Sequence, residues 1–285
     1  MSDSENRRVG EVFHVRTVRE PCAVYGTCIG RFDGRRSFLV MNYRSRLEVY
    51  ENHVVLLDPD QESEVVNYKA RPVLASVLHS KGKRHAHAII VVPADPSKRA
   101  EKYDASSSKT SKDSLLVLYV DHSKGKHYWS LLRWDDEGSA FGEVGHAAGE
   151  GPAPGKAEVV CGALASFRVP TRGAREGSPV HLAAYAISCK ALWAVRVSGS
   201  EVEARAIASG GALWRLLRPP RCSGPPASCS RILGVEVLRS QRDFSAGRLS
   251  VALLVTTHDP PTEQTDLRTV ALALPRSGTW GGSRA

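Results

Sequence analysis

The sequence predicts an all-β protein, and three observations lead to that class. Short apolar runs recur along the chain and are bounded by Gly, Pro, Asp or Ser, which is typical of strands joined by tight turns. Several runs are continuous rather than alternating, as in SLLVLYV, and continuous runs indicate strands that are covered on both faces. Long apolar stripes of helical period with caps are missing from the sequence. Together these features favour a β-sandwich, a barrel or a propeller.

The predicted strands follow from these runs in chain order, and residues 22–50 are predicted to form three strands separated by two turns. In residues 46–50, Leu47 and Val49 fall on one face of a strand, while Arg46, Glu48 and Tyr50 fall on the other. The other predicted strands are Val54–Leu57, His87–Val92, Leu115–Val120, His127–Trp134, Val180–Ile187, Leu192–Val197, Ile232–Leu238, Leu249–Thr256 and Arg268–Leu274. The segment ALWRLLRPP at 212–220 predicts a helical turn or two that ends at its first proline.

Three segments between the strand groups are predicted to be loop insertions. Residues 95–112 are polar without an apolar period, residues 137–157 are rich in Gly, Pro and Ala, and residues 218–230 are rich in Pro and Ser. We expect residues 1–12 to be disordered and residues 13–285 to form one β domain that carries the three insertions.

The chain has 285 residues and a net charge of +9, with a pI of about 9.4. A basic surface attracts nucleic acid, acidic proteins or anionic membrane, although it is also compatible with a solvated surface that binds nothing.

No signal-peptide pattern and no apolar run of membrane-spanning length occurs, so we expect no membrane partner and a location in the nucleus or cytoplasm. The six cysteines form no CxxC pair, so we expect free thiols rather than a zinc knuckle.

Two histidine patterns are candidates for chemistry. His85 and His87 are two residues apart on a predicted strand and so share a face, which is how a metal site can begin. A third ligand is not identifiable and the preceding residues are basic, which favours a solvated strand edge over a metal site. Asp121 and His122 suggest a catalytic pair, but the string DHSKGKH favours a hairpin turn in which Gly125 adopts a positive φ.

No nucleophile elbow, phosphate-binding loop, zinc-protease motif or dinucleotide-binding motif occurs in the sequence. We therefore expect a protein that is not an enzyme, with no catalytic residue, no metal and no cofactor.

Basic residues at predicted turns are candidate nucleic-acid contacts, and they are Lys81, Lys83, Arg84, Lys124 and Lys126. Proteins that bind single strands combine such charge with aromatic side chains on which bases stack. Tyr128 and Trp129 follow Lys126 and provide this combination. The favoured interpretation is that both aromatic residues belong to the core of the strand.

The segment FHVRTVREPCAVYGTCIGRFDGRRSFLVMNYRSRLEVY (13–50) resembles the start of the large subunit of the damaged-DNA-binding complex. The positions that match in order, spacing and type are Thr17, Pro21, Ala23, Val24, Gly26, Gly30, Phe32, Leu39, Arg46, Leu47, Glu48 and Tyr50. Val49 stands where that family has isoleucine. Residues 71–78, 113–135 and 231–240 resemble later strands of the family more loosely. The same superfamily includes the largest subunit of the cleavage and polyadenylation specificity factor and the third subunit of splicing factor 3B.

The resemblance implies a β-propeller built from degenerate, four-stranded antiparallel blades. Family members are far longer, so it also implies that this chain corresponds to part of a first propeller. The function it implies is that of a non-enzymatic adaptor that links substrate receptor proteins to the cullin scaffold of a ubiquitin ligase, in the nucleus, during the DNA-damage response.

Two alternatives stay open. One is a scaffold that binds DNA or RNA in mRNA 3′-end cleavage and polyadenylation or in splicing, and the basic charge favours it. The other is a hydrolase or metal enzyme on a β scaffold, which only the two histidine patterns support.

Overall fold

The structure is a computed structural model that describes residues 23–56, 68–80, 84–95, 111–149, 153–154, 160–169, 178–187, 191–209, 213, 231–259 and 262–274. These residues are mostly in β-strands, which confirms the all-β class. The predicted disordered N-terminus 1–12, the insertion 218–230 and nearly all of the insertion 95–112 lie outside the described residues. The predicted helical turn at 212–220 also lies outside them, apart from the buried Leu213.

The described strands form four antiparallel sheets in which strands pair in chain order. Sheet 1 contains β1 (Gly26–Gly30), β2 (Phe38–Asn42), β3 (Arg46–Leu56) and β4 (Tyr68–His79). Sheet 2 contains β5 (Arg84–Val92), β6 (Ser114–Asp121), β7 (Lys126–Asp135) and β8 (Ala140–Ala148). Sheet 3 contains β9 (Val160–Val169), β10 (Ser178–Ile187), β11 (Ala191–Ser198) and β12 (Glu201–Ser209). Sheet 4 contains β13 (Arg231–Val237), β14 (Arg248–Asp259) and β15 (Thr262–Ala273).

A short helix, α1 (Gln241–Ser245), connects β13 to β14. Its N-cap is Ser240, whose hydroxyl oxygen accepts a hydrogen bond of 3.2 Å from the backbone N–H of Asp243. None of the helices among the described residues has the length and apolar content needed to cross a membrane.

The predicted insertion 137–157 is wrong in its first half, because Ala140–Ala148 is strand β8. This strand pairs with β7 from Tyr128↔Ala148 to Asp135↔Ala140. Most of its side chains are exposed because it is the last strand of its sheet, so it has no apolar run in the sequence. Strands β4, β9 and β12 likewise have no counterpart among the predicted strands, whereas the two short strands predicted at 46–50 and 54–57 form the single strand β3.

Strand β6 is buried along its whole length, as its continuous apolar sequence predicts. Leu115 packs toward sheet 1 in the cluster that contains Leu47. Leu116 points to the other face and packs in the cluster that contains Trp193 of sheet 3. Sheet 2 therefore lies between sheets 1 and 3, with side chains of both its faces in the core.

Strand β10 plays the same part in sheet 3. Leu182 and Ala184 pack in a cluster with Val251 of sheet 4, whereas Ala183 and Tyr185 pack toward sheet 2. The first strands of the sheets are also neighbours, since β1 contacts β5, β5 contacts β9 and β9 contacts β13. The four sheets are thus stacked in chain order.

The segment RLEVY forms the start of β3, and both of its faces are covered. Leu47 and Val49 are completely buried. Glu48 on the opposite face is 1% exposed, and its carboxylate accepts hydrogen bonds from Arg46 Nε at 2.7 Å and from the Tyr50 hydroxyl. The polar face of this strand is therefore an internally paired network in which the carboxylate of Glu48 is buried, while Arg46 and Tyr50 are partly exposed.

The other family-motif positions lie around β1. Ala23 and Val24 precede the strand and are exposed, while Gly26 and Gly30 are its ends. A side chain at Gly30 would collide with the buried ring of Phe32, because a Cβ there would lie 2.7 Å from its Cζ. Gly30 therefore has a structural role in sheet 1.

Candidate nucleic-acid interface

Arginine and tyrosine side chains gather where one end of sheet 1 meets the same end of sheet 2. The β2–β3 turn at Tyr43–Ser45 reaches across to β5, where the Ala86 N–H donates a 2.8 Å hydrogen bond to the Arg44 carbonyl. The buried Asn42 side-chain amide donates a 3.1 Å bond back to the Ala86 carbonyl. These bonds between sheets fix the turn beside the start of β5. We call this region the basic end, and it comprises Tyr25, Tyr43, Arg44, Ser45, Arg46, Arg84, His85, His122, Lys124, Lys126 and Tyr128.

Each arginine of the basic end lies over a tyrosine ring. The guanidinium carbon of Arg44 is 3.8 Å from the centroid of Tyr25. The corresponding distances are 4.7 Å for Arg46 over Tyr43 and 4.5 Å for Arg84 over Tyr128. Cation–π attraction holds each guanidinium group against its tyrosine ring. The basic end thus presents fixed cations together with aromatic surface.

Three of the five predicted basic contacts are described, and all belong to the basic end. Arg84, Lys124 and Lys126 are exposed, while Lys81 and Lys83 lie outside the described residues. Of the two aromatic residues beside Lys126, Trp129 is fully buried, which confirms its predicted place in the core. Tyr128 packs at the margin of the core.

Asp121 and His122 form a hairpin turn, as the sequence favoured. The Asp121 carboxylate accepts hydrogen bonds from the Ser123 hydroxyl and from the backbone N–H groups of Ser123 and Lys124. These hydrogen bonds lower the pKa of Asp121, and the bond from the Ser123 hydroxyl has the largest effect. Gly125 closes the turn with a φ of +60°. The carboxylate is therefore engaged in shaping the turn.

The turn brings His122 beside both candidate histidines of β5. The ring of His122 lies 5.3 Å from that of His85 and 5.1 Å from that of His87. The Nε2 atoms of His87 and His122 are 3.1 Å apart, so one ring donates a hydrogen bond to the other. Within the described ranges, no group of three His, Cys, Asp or Glu has the geometry of a metal site. The expectation that no metal binds stays a prediction.

A cavity of about 350 Å³ opens at the basic end. Its described lining consists of Tyr25, Tyr43, Arg44, Ser45, His85 and His122. Sequence reasoning missed the arginine and tyrosines of this lining, although the string NYRSR at 42–46 places aromatic and basic residues in one turn. Proximity of this turn to His122 arises only from the stacking of the two sheets.

Burial keeps two titratable groups of the described strands, His127 and Cys28, uncharged at pH 7. His127 is 2% exposed between Trp129 and Trp193, and burial lowers its pKa to about 4, so its ring is neutral at pH 7. Cys28 is a free thiol, as predicted, and burial raises its pKa to about 12. The positive charge of the basic end therefore comes from its arginines and lysines, of which Arg46 is paired with the carboxylate of Glu48.

The chain matches no protein-family model, and no curated protein matches it significantly.

Proposed function

We propose that this chain is a non-enzymatic β-propeller scaffold of the damaged-DNA-binding superfamily. Its proposed role is to link substrate receptor proteins to the cullin scaffold of a ubiquitin ligase in the nuclear DNA-damage response. The observation that carries the proposal is the stacking of the sheets in chain order, each beginning beside the first strand of the sheet before it.

This arrangement supports a propeller for a geometric reason. In a propeller, each blade is an antiparallel sheet, and the first strands of successive blades line a common axis. Sheets 1 to 3 have four strands each in consecutive order, and their first strands β1, β5 and β9 are neighbours. Such a fold offers rigid loops and blade surfaces for binding and needs no catalytic group.

The choice of the adaptor branch rests on residues 13–50. The described part of this segment has the paired Arg46–Glu48–Tyr50 network and the Gly30–Phe32 contact at its matching positions. Both are structural features, so they support shared architecture, and the adaptor role follows from the resemblance.

Affinity purification of the tagged protein from its own cells, followed by mass spectrometry, tests the adaptor role. We expect a cullin and substrate receptors with the wild type. They should be absent with Leu47→Asp, which serves as a control for binding that depends on the fold. Recovery of cleavage, polyadenylation or splicing subunits instead would refute the ubiquitin-ligase role and keep the scaffold.

A second candidate function is a nucleic-acid-binding scaffold of mRNA 3′-end processing or splicing. The observation that favours it is the basic end, where exposed Arg84, Lys124 and Lys126 accompany three arginine–tyrosine stacks. Positive charge of this kind can bind the phosphates of a nucleic acid, and the aromatic rings can stack on its bases.

Replacing Lys124 and Lys126 with Ala should weaken binding to any oligonucleotide. Each lysine that neutralises a phosphate contributes about one unit to the slope of log affinity against log salt, so the slope should fall by about two. Fluorescence anisotropy over a salt series measures this slope. Arg133→Ala is the matched control, because Arg133 is exposed on β7 toward the opposite end of that strand. Equal slopes for the double variant and the control would remove the basic end from the binding surface.

A further inference from the structure

We infer that the cavity beside Arg44 receives one unpaired nucleotide of a single-stranded nucleic acid. The inference rests on the nucleic-acid-binding candidate function and adds to it the class of ligand and the residue that selects it.

The backbone of Arg44 is the first reason. Arg44 has a φ of +64°, a conformation that suits glycine and that side-chain-bearing residues rarely adopt. The surrounding structure holds it there, since its N–H donates to Asn42 Oδ1 at 2.8 Å and its carbonyl accepts from Ala86 N–H and the Ser80 hydroxyl. Strained residues that the surrounding structure holds in place cluster at functional sites. Glycine would satisfy the turn, so the arginine side chain supplies something that the turn does not need.

The guanidinium group supplies a flat, charged surface at the cavity. Arg44 lies over the ring of Tyr25, and both residues line the cavity. Tyr25 is 47% exposed, so this stacked pair is accessible to a ligand. Proteins that read single strands stack unpaired bases on aromatic rings and on arginine planes.

The rest of the lining suits the polar parts of a nucleotide. Ser45, Tyr43, His85 and His122 offer hydroxyl groups and ring nitrogens, which bond base edges, sugar or phosphate. None of the described lining residues is acidic, so none of these side chains repels a phosphate. Exposed Lys124 follows His122 in the same turn and is placed to contact a flanking phosphate.

The size of the cavity limits what enters it. A volume of about 350 Å³ lies at the lower end of the range for small-ligand sites and corresponds to about one nucleotide. The bases of a duplex are stacked and paired, so one of them would first have to be extruded at a cost in free energy. A single strand presents its bases already unpaired. The cavity therefore favours single strands over duplexes.

The test compares wild type with Arg44→Gly on a labelled single strand, DNA or RNA, and on the duplex of the same sequence. Glycine fits the positive φ, and this gain offsets the loss of the contact between Arg44 and Tyr25, so the melting temperature should change little. Loss of one base-stacking contact should weaken single-strand binding about tenfold and duplex binding by a smaller factor. Arg44→Lys keeps the charge but loses the flat stack, so it should restore only part of the single-strand affinity. Arg133→Ala removes a charge elsewhere and should leave the preference for single strands unchanged.

A competition experiment identifies the part of the ligand that is bound. A nucleoside 5′-monophosphate should displace the labelled strand at lower concentration than inorganic phosphate does. Equal competition by phosphate alone would overturn the nucleotide assignment and leave a simple anion site. Single-strand binding by Arg44→Gly at wild-type strength would also overturn it. In that case, a lower salt slope for the variant with Lys124 and Lys126 replaced by Ala would still support the nucleic-acid-binding function. Failure of the wild type to bind any oligonucleotide would overturn both.

Discussion

The Leu47→Asp variant is expected to be unfolded at room temperature. Leu47 is 0% exposed and packs in the core cluster between sheets 1 and 2. An aspartate there would bury a carboxylate among apolar side chains and also lose the packing of the leucine. The combined cost is about 5 kcal/mol or more, which is comparable with the whole stability of a typical domain. Far-UV circular dichroism and thermal denaturation would show the loss of the cooperative transition, and Val49→Asp should behave in the same way.

Leu267→Asp is the matched control for this substitution. Leu267 is 74% exposed on β15, so the same change of side chain introduces a charge that water can solvate. Its effect on the free energy of unfolding should stay within about 0.5 kcal/mol. An unchanged melting temperature for Leu47→Asp would mean that Leu47 does not belong to the core.

The second large effect is expected from Gly145→Ala on β8. A Cβ at this position would lie 2.0 Å from the backbone carbonyl oxygen of Ser200, in the turn between β11 and β12. Backbone atoms cannot rotate away as a side chain can, so sheets 2 and 3 would have to move apart. Overpacking of this kind costs about 3 kcal/mol. Urea denaturation of the purified variant measures the change in the free energy of unfolding.

Gly142→Ala provides the control within the same strand. A Cβ at Gly142 would approach only the Arg133 carbonyl oxygen, at 4.0 Å, which is ordinary contact. This alanine should be neutral or stabilise the protein slightly, because it restricts the unfolded chain. Similar destabilisation by both alanines would point to a general need for glycine in β8 and against the contact between the sheets.

The sequence predicted those strands whose side chains are apolar enough to show a pattern. Strand β6 is recognisable because both of its faces lie in the core, and β3 because its apolar and polar residues alternate. Strand β8 was assigned to a loop because its exposed residues, rich in Gly and Ala, follow neither pattern. Backbone pairing with β7 makes it a strand, and this interaction leaves almost no trace in residue types.

In the candidate interface, the residues that the local sequence indicates were predicted, and those that depend on contacts between distant parts of the chain were missed. Arg84, Lys124 and Lys126 were predicted because basic residues at turns are visible in the sequence. Arg44 was missed because its neighbours in the cavity, such as His122, come from a distant part of the chain and from another sheet. Its positive φ is a property of the folded backbone and cannot be predicted from the presence of an arginine in the sequence.

The burial of both faces of β6 has a consequence for how this protein can vary through evolution. A strand with one solvated face tolerates substitution at the positions on that face, as at the exposed residues of β8. All eight residues of β6 are buried, so neutral drift there has no alternating positions to use. Among descendants of a common ancestor, the stretch encoding Ser114–Asp121 should therefore change slowly and mainly through paired, compensating exchanges with the sheets on either side.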